Sequence, residues 1–551
     1  MAPSVANAKP EGKIVSTKPT RAGKSGQPER EMPIAALVAL IGADHVITEA
    51  EELRFYSTDV YRRADVDAVL VVQPGTVEEL AGAVRLCTDA GLAVIARGGG
   101  LSYTGGFLPT RDGSVIVDMQ RLNRIVEVNP TDMFITVECG ATWKSLYEKL
   151  KPMGLRTPYF GPMSGFASTV GGALSQGSIF LGSTEYGTTA DSVLALDVVL
   201  ADGSVVKTGS AGGIHTGGPF LRNYGPDLTG LFLHDAGALG LKGRATLRLI
   251  STPEYNGAVS FTFGNQADLF HAQSEISRRG LAAECFGADP YIWGMRLWDD
   301  DLGRDMKRFV GVMKSGRTFL TGLRDALRIA RTGRKALSHV EYAMNVSVDG
   351  RSQGEIDHAL AEIRKIGLAK GTETEATVPR AVRGAPFLAP NDLLGPKGHR
   401  WAPSHGIAPH SLIVEVADGL VKFFGDRAEL LDRHGIEWGF VSFAISTTAI
   451  LLEPMIYWPG AREPYHERMI EPGFLAKLPV QEANEEIAAV IKQLRSDLTQ
   501  FWMEQGCAHL QIGKTYRFLE NRLPEVRTLL ESIKDAVDPR RLINPGSLGM
   551  A

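Results

Sequence analysis

An apolar run, Leu92-Ala93-Val94-Ile95-Ala96, leads directly into Arg97-Gly98-Gly99-Gly100-Leu101-Ser102-Tyr103-Thr104-Gly105-Gly106. The run has the composition of a buried strand. The ten residues after it hold five glycines, which lets the backbone reach φ > 0 and lets a ligand approach the main chain closely. Successive N–H groups in such a turn form a concave site for an anion. The pattern predicts a strand ending in a phosphate- or pyrophosphate-binding turn. Its plainer alternative is a tight surface loop, and the rest of the chain has to decide between them.

The chain has 551 residues, enough for two to four domains that each bury a core. A net charge of −4 gives no global attraction to nucleic acid. Cys87, Cys139, Cys285 and Cys507 are widely separated, which speaks against a metal cluster or disulfide framework and fits a reducing, cytoplasmic setting. No apolar run approaches the length of a membrane span. Residues 1–31 are rich in Pro, Ser, Gly, Ala and Lys, have no apolar signal core, and read as a disordered tail.

From 32 to 250, short apolar runs alternate with glycine-rich turns and a few helices. Strands are expected at 68–72, 115–117 and 134–137. From 251 to 478 the pattern becomes strand, helix, strand. A strand at 258–263 precedes a helix carrying Ala267, Phe270 and Ile276. One at 340–348 precedes a helix carrying Ile356, Ala359, Leu360 and Ile363, and further strands fall at 441–445 and 451–458. This predicts an antiparallel sheet backed by helices. Residues 479–551 are read as C-terminal helices returning to the first domain.

Four further segments resemble the flavin-binding half of the p-cresol methylhydroxylase / vanillyl-alcohol oxidase superfamily, which includes D-lactate dehydrogenase and glycolate oxidase flavoproteins. They are Val72 to Leu80, Pro158 to Gly172, Gly182 to Val193 with Val198 to Gly203, and Gly225 to Phe232; the tail Asp538 to Gly546 resembles the family's C-terminal signature. The resemblance implies an α+β fold: a two-subdomain FAD-binding domain of p-cresol methylhydroxylase type plus an antiparallel-sheet cap domain with helices on one face. It implies that Arg97 to Gly106 take the FAD pyrophosphate, and that Thr169, Val170, Gly172, Ser175, Gln176 and Ser178 lie along the cofactor. Gly187, Asp191 and Val193 are expected toward the adenine-ribose end, with Gly240 in a further glycine turn and Asn544 closing over the flavin.

The departures are equally informative. Leu101 stands where bicovalent relatives have a histidine, and Thr447 to Leu452 contain no histidine for attachment from the cap, so FAD is expected to be non-covalent. The His-Gly-Asp-Gly-Asn and Glu-His-Gly motifs of zinc-using relatives are missing, so no metal is expected. The Tyr-Arg pair that holds a phenolate in the vanillyl-alcohol oxidases would fall near Leu510-Gln511, and it is absent. His234 replaces a serine and is read either as a polar contact near the flavin or as a structural histidine.

Flavin accepts a hydride at N5, and the protein must take the donor's hydroxyl proton. His509 is the first candidate base, with His405 and His410 behind it. Lys514 and Arg517 are candidate anchors for a carboxylate. Trp401, Tyr457 and Trp458 either line an aromatic pocket or fill the core. The expected activity is oxidation of a small-molecule alcohol, foremost a 2-hydroxy acid of the D-lactate or glycolate kind. A phenolic or aryl alcohol is the first alternative, and a non-catalytic flavin subunit the second. The electron acceptor stays open among oxygen, a quinone and a cytochrome, and a homodimer is an expectation from the family. The segment 312–335 carries Phe319, Leu323 and Leu327 on one helical face and an excess of arginine elsewhere. It reads as a helix packed on the cap, with peripheral contact to the inner membrane surface as the alternative.

Overall fold

The computed structural model describes residues 32–296, 342–387 and 389–550. The 312–335 segment therefore lies outside the described residues. Among those described, no helix is long and apolar enough to cross a membrane.

Two sheets build the first half. The strands Leu70–Val72, Ser114–Asp118 and Ala93–Arg97 run parallel, with Val46–Ile47 added antiparallel at one edge. Their crossover is the helix Val77–Asp89, whose Thr76 cap accepts a hydrogen bond from Glu79 N at 3.0 Å. Leu80, Ala83, Val84 and Cys87 form its buried stripe at helical spacing, and each buried leucine contributes about 1.5–3 kcal/mol. The second sheet is antiparallel, in the order Ile125–Asn129, Phe134–Glu138, Leu241–Arg248, Val193–Val199, Val205–Lys207. The glycine-rich turn leaves the C-terminal end of Ala93–Arg97, where parallel strands of an α/β unit open onto ligands.

The cap is an eight-stranded antiparallel sheet. Its order is Thr372–Thr374, Tyr255–Phe263, Tyr342–Gly350, Glu284–Ala288, Glu437–Ile445, Ala449–Trp458, Arg400–Pro403, and Gly406–Pro409 also pairs with Ala449–Trp458. Side chains alternate across a strand. On Ala449–Trp458, Ile450, Leu452, Ile456 and Trp458 enter the core beneath the helices Gln266–Arg278, Gln353–Gly367 and Ile413–Gly425. Leu451, Glu453, Met455 and Tyr457 face the other way, toward the first half of the chain.

The helix Glu485–Glu504 departs from the grouping by sequence. Ile487, Ile491, Leu494, Leu498 and Trp502 complete the cap core, because its apolar stripe matches the helix-covered face of the sheet. After it the chain crosses back along the first half. Gln511 and Lys514 donate backbone N–H bonds to Gln176 O and Thr104 O, and Asn544 donates to Val94 O.

Candidate active site

The glycine turn is packed so closely that side chains are excluded. A Cβ added at Gly99 would lie 2.1 Å from Ala167 O, and one at Gly98 would lie 2.2 Å from Thr169 Oγ1. Gly100 and Gly105 hold φ of 75° and 69°, open to glycine at no steric cost. Asp59 Oδ2 accepts from Gly105 N at 2.9 Å, and Tyr465 donates to Gly100 O at 2.9 Å, so the turn is braced from two sides. Thr169 caps Val170–Gln176 by accepting from Gly172 N at 3.2 Å.

Arg97 lies beneath this turn at 2% exposure. Its guanidinium carbon is 4.8–5.3 Å from the ring centres of Phe55, Tyr56 and Phe107. Among the described residues its Nε and Nη2 are buried without an acceptor, and Gln176 Oε1 is buried without a donor. An unpaired buried guanidinium is costly unless an anion or polar group meets it. The orphaned atoms and the bare backbone together fit a cofactor bearing a pyrophosphate.

Around the same ring the backbone is strained. His234, Ala236, Gln511 and Asn544 adopt φ of 56°, 50°, 48° and 41°. Such residues cost about 1 kcal/mol or more each and collect at functional sites. Ala236 N donates to Ser175 O. The Asn544 amide donates to Gly106 O at 2.8 Å and Ala236 O at 2.7 Å, while its Oδ1 accepts from Lys514 Nζ at 2.8 Å. Asn544 thus acts as a cross-link under the site, its amide hydrogens spent on protein carbonyls. Lys514 also donates to Leu108 O, and burial pushes its pKa down to about 7.

The other expected cofactor residues divide. Leu101, Ser102 and Thr104 lie in the turn, Ser102 Oγ being 3.3 Å from Thr104 Oγ1, and Ser178 follows the capped helix. Gly187 and Asp191 lie beside them through His234, whose Nε2 is 3.4 Å from Thr188 Oγ1. The Asp191 carboxylate accepts from Thr188 N at 2.7 Å and so closes its own turn. Val193 begins a core strand, and Gly240 packs on Val198 of the same sheet, where a Cβ would lie 2.5 Å from Val198 Cγ1.

Facing the turn, the inner side of the cap sheet presents Glu453. Tyr103 donates to Glu453 Oε1 at 3.0 Å, and burial pushes the carboxyl pKa up to about 7. A carboxylate balanced near neutrality is suited to accept a proton. His405 Nδ1 is 3.7 Å from the same oxygen. Burial pushes the His405 pKa down to about 3, leaving the ring neutral, and its Nε2 lies 2.9 Å from Leu510 O.

The expectation for His509 does not survive this geometry. Its ring stacks on Tyr516 at 4.1 Å and lines a surface pocket with Arg522, Asn521 and Thr499, while Nδ1 lies 2.9 Å from His405 O. Tyr516 in turn accepts from His405 N at 2.7 Å, so His509 stands behind the Tyr516–His405 layer. His410 sits at the strand end, Nε2 3.1 Å from Thr447 O. Arg517 is on the surface, donating to Gln500 Oε1 at 3.1 Å. Lys514 and Arg517 therefore do not converge on one carboxylate. Glu453 has only one trace in the sequence, an acid inside the apolar strand Ile450-Leu451-Leu452-Glu453-Pro454-Met455.

The remaining inner face is apolar. Ile445, Leu451 and Leu510 pack with Ile179, Ile407 and Phe443, and Phe180 meets Phe443 edge to face at 5.4 Å. At one side, Arg383 pairs with Glu284 and Asp349, and Arg156 pairs with Asp349 at 3.0 Å, tying the cap to the first half.

Comparison with known proteins bears on the cofactor and the fold. A family described as FAD binding domain matches residues 68–209. The chain is 29% identical over 214 residues to D-lactate dehydrogenase [cytochrome] 1, mitochondrial, of Saccharomyces cerevisiae, covering 38% of this chain and 35% of that protein. It is 31% identical over 202 residues to the 4-cresol dehydrogenase [hydroxylating] flavoprotein subunit of Pseudomonas putida, covering 35% and 38%. The matches thus span little more than a third of either relative. The solved structure of p-cresol methylhydroxylase with substrate bound superposes with a TM-score of 0.66 at 19% identity, over 94% of this chain and 96% of that one. The chain carries an FAD binding domain at residues 68–209, set within the fold of the p-cresol methylhydroxylase type of flavoprotein.

Proposed function

We propose that the protein is an FAD-dependent oxidoreductase that oxidises a CH–OH group, with Tyr103 and Glu453 handling the hydroxyl proton. The Tyr103–Glu453 hydrogen bond carries this reading, because it joins the cofactor-binding turn to a carboxyl balanced near neutral pH. Bound FAD supplies a hydride acceptor at N5. The Tyr103 oxygen takes the donor's hydroxyl proton as its own proton passes to Glu453 Oε1, which leaves a neutral Glu453 to return the proton to solvent. Arg97 and the turn hold the pyrophosphate, and Leu101 is consistent with non-covalent attachment.

The first donor class is a 2-hydroxy acid, in line with the D-lactate dehydrogenase among the relatives. A second reading, an aryl alcohol, draws on the apolar wall of Phe180, Phe443 and Leu451 and on the separation of Lys514 from Arg517. Anaerobic bleaching of the flavin absorbance with chiral 2-hydroxy acids and with 4-hydroxybenzylic alcohols tests both. Reduction by either panel supports the activity and selects the class. A yellow protein that neither panel reduces would leave the non-catalytic flavin subunit as the better description. Reoxidation by oxygen, a quinone or a cytochrome then identifies the acceptor.

A further inference from the structure

Beyond Glu453, the inner face of the strand Ala449–Trp458 continues to Met455 and Tyr457. At about 3.4 Å per residue, Tyr457 lies about 14 Å from Glu453 along the strand. Trp401 is the cross-strand neighbour of Tyr457 on one side, with ring centres 6.2 Å apart. His399 stacks on Tyr457 at 5.0 Å, and Tyr291 of the helix Pro290–Arg296 approaches it at 5.9 Å. Trp293 of that helix belongs to the same cluster.

Two features separate this cluster from ordinary core. Met455 and Trp401 are only half-buried although they lie on the side of the sheet that faces the flavin-binding half. Polar atoms are also left over inside it. Trp293 Nε1 is buried without a hydrogen-bond partner among the described residues, and the nearest acid to His399 Nε2 is Glu437 Oε2 at 3.8 Å. Leaving buried donors unsatisfied is costly, and an indole N–H can be satisfied only by an acceptor.

We infer that this aromatic cluster is a distal donor subsite, so that the oxidised molecule is an elongated alcohol carrying a flat aromatic arm with an oxygen acceptor, long enough to reach from Glu453 toward Tyr457 along the strand. The inference rests on the proposed oxidation at Tyr103–Glu453. It goes beyond it by setting the length and chemistry of the donor, whichever group adjoins the reacting carbon. Lactate and glycolate would leave the subsite empty. The arm would stack against Trp401 and Tyr457 and accept from Trp293 Nε1.

The test compares donors of increasing length on the purified, FAD-loaded protein. Lactate, mandelate and 4-hydroxybenzyl alcohol form the short set, and benzyl alcohols bearing a second, ether-linked aryl ring form the long set. Tryptophan fluorescence quenching reads binding, and anaerobic bleaching reads chemistry. The long set is expected to bind at least about tenfold more tightly. Trp293→Phe, which keeps the ring and removes the N–H, should raise KM for ether-linked donors about tenfold and leave short donors unchanged. Equal use of short and long donors, or an equal effect of Trp293→Phe on both, would overturn the inference. Quenching by long donors without bleaching would retain the subsite and reject the oxidation.

Discussion

Tyr103 and Glu453, 350 positions apart in the chain, are joined by a 3.0 Å hydrogen bond that runs from the glycine-rich turn to the cap sheet. The bond places a proton acceptor of near-neutral pKa against the cofactor cradle, and most of the expected behaviour of the protein follows from it.

Replacing Glu453 by Gln keeps the shape and removes the acceptor. The rate of anaerobic flavin reduction by a good donor is expected to fall by about 10²–10⁴. The wild-type rate should rise with pH through about 7, as Glu453 ionises, and the variant rate should be flat across the same range. Stability shifts the other way. The folded-state pKa lies above the usual 4.5, so the folded protein binds the proton more tightly than the unfolded chain. That contribution is complete below pH 4.5 and is lost as pH rises to about 7. Glu453→Gln should therefore gain stability relative to wild type between those values, by about 3 kcal/mol at most, read from melting temperatures across the range.

Tyr103→Phe leaves FAD in place but removes the hydrogen bond that holds the Glu453 pKa down. The pH–rate profile should move to higher pH, with a rate loss of about tenfold to a hundredfold at neutral pH. A profile that does not move would show that Glu453 is not the titrating group.

His509→Ala tests the layer formed by Tyr516 and His405. With the ring stacked on the far side of Tyr516 and open to the surface pocket, flavin reduction should change by no more than about threefold. A loss comparable with that of Glu453→Gln in stopped-flow reduction would return His509 to the role of base.

Lys514 has a folded-state pKa of about 7 against an ordinary 10.5, because burial disfavours its charge. The unfolded chain binds the extra proton between those values, so the Lys514 contribution to stability rises with pH across that window. Wild type and Lys514→Met, melted from pH 6 to 10, should show a difference that moves steadily in favour of wild type as pH increases.

Gly99→Ala adds a methyl where Ala167 O is 2.1 Å away. The turn must shift, and bound FAD per protein, measured by absorbance after desalting, should drop sharply. Arg97→Gln should weaken FAD while leaving riboflavin affinity unchanged, since riboflavin has no pyrophosphate to meet the guanidinium.

The sequence alone was sufficient for local structure and for the cofactor. The run 92–96 followed by glycines reads as strand and turn because alternation and glycine content are local properties. The strands at 115–117, 134–137, 258–263 and 451–458 were legible for the same reason. The donor side was decided by tertiary structure. Glu453 is an unremarkable acid until the alternation of its strand turns it toward Tyr103 and the surrounding apolar wall raises its pKa. His509 lies in a suggestive motif, yet chain direction after Trp502 carries it behind Tyr516. Lys514 and Arg517 are three residues apart, but one is buried against Asn544 while the other faces solvent. The helix Glu485–Glu504 joined the cap because its apolar stripe needed that face of the sheet. Pairings across hundreds of residues depend on which faces are buried together, and no local pattern encodes that.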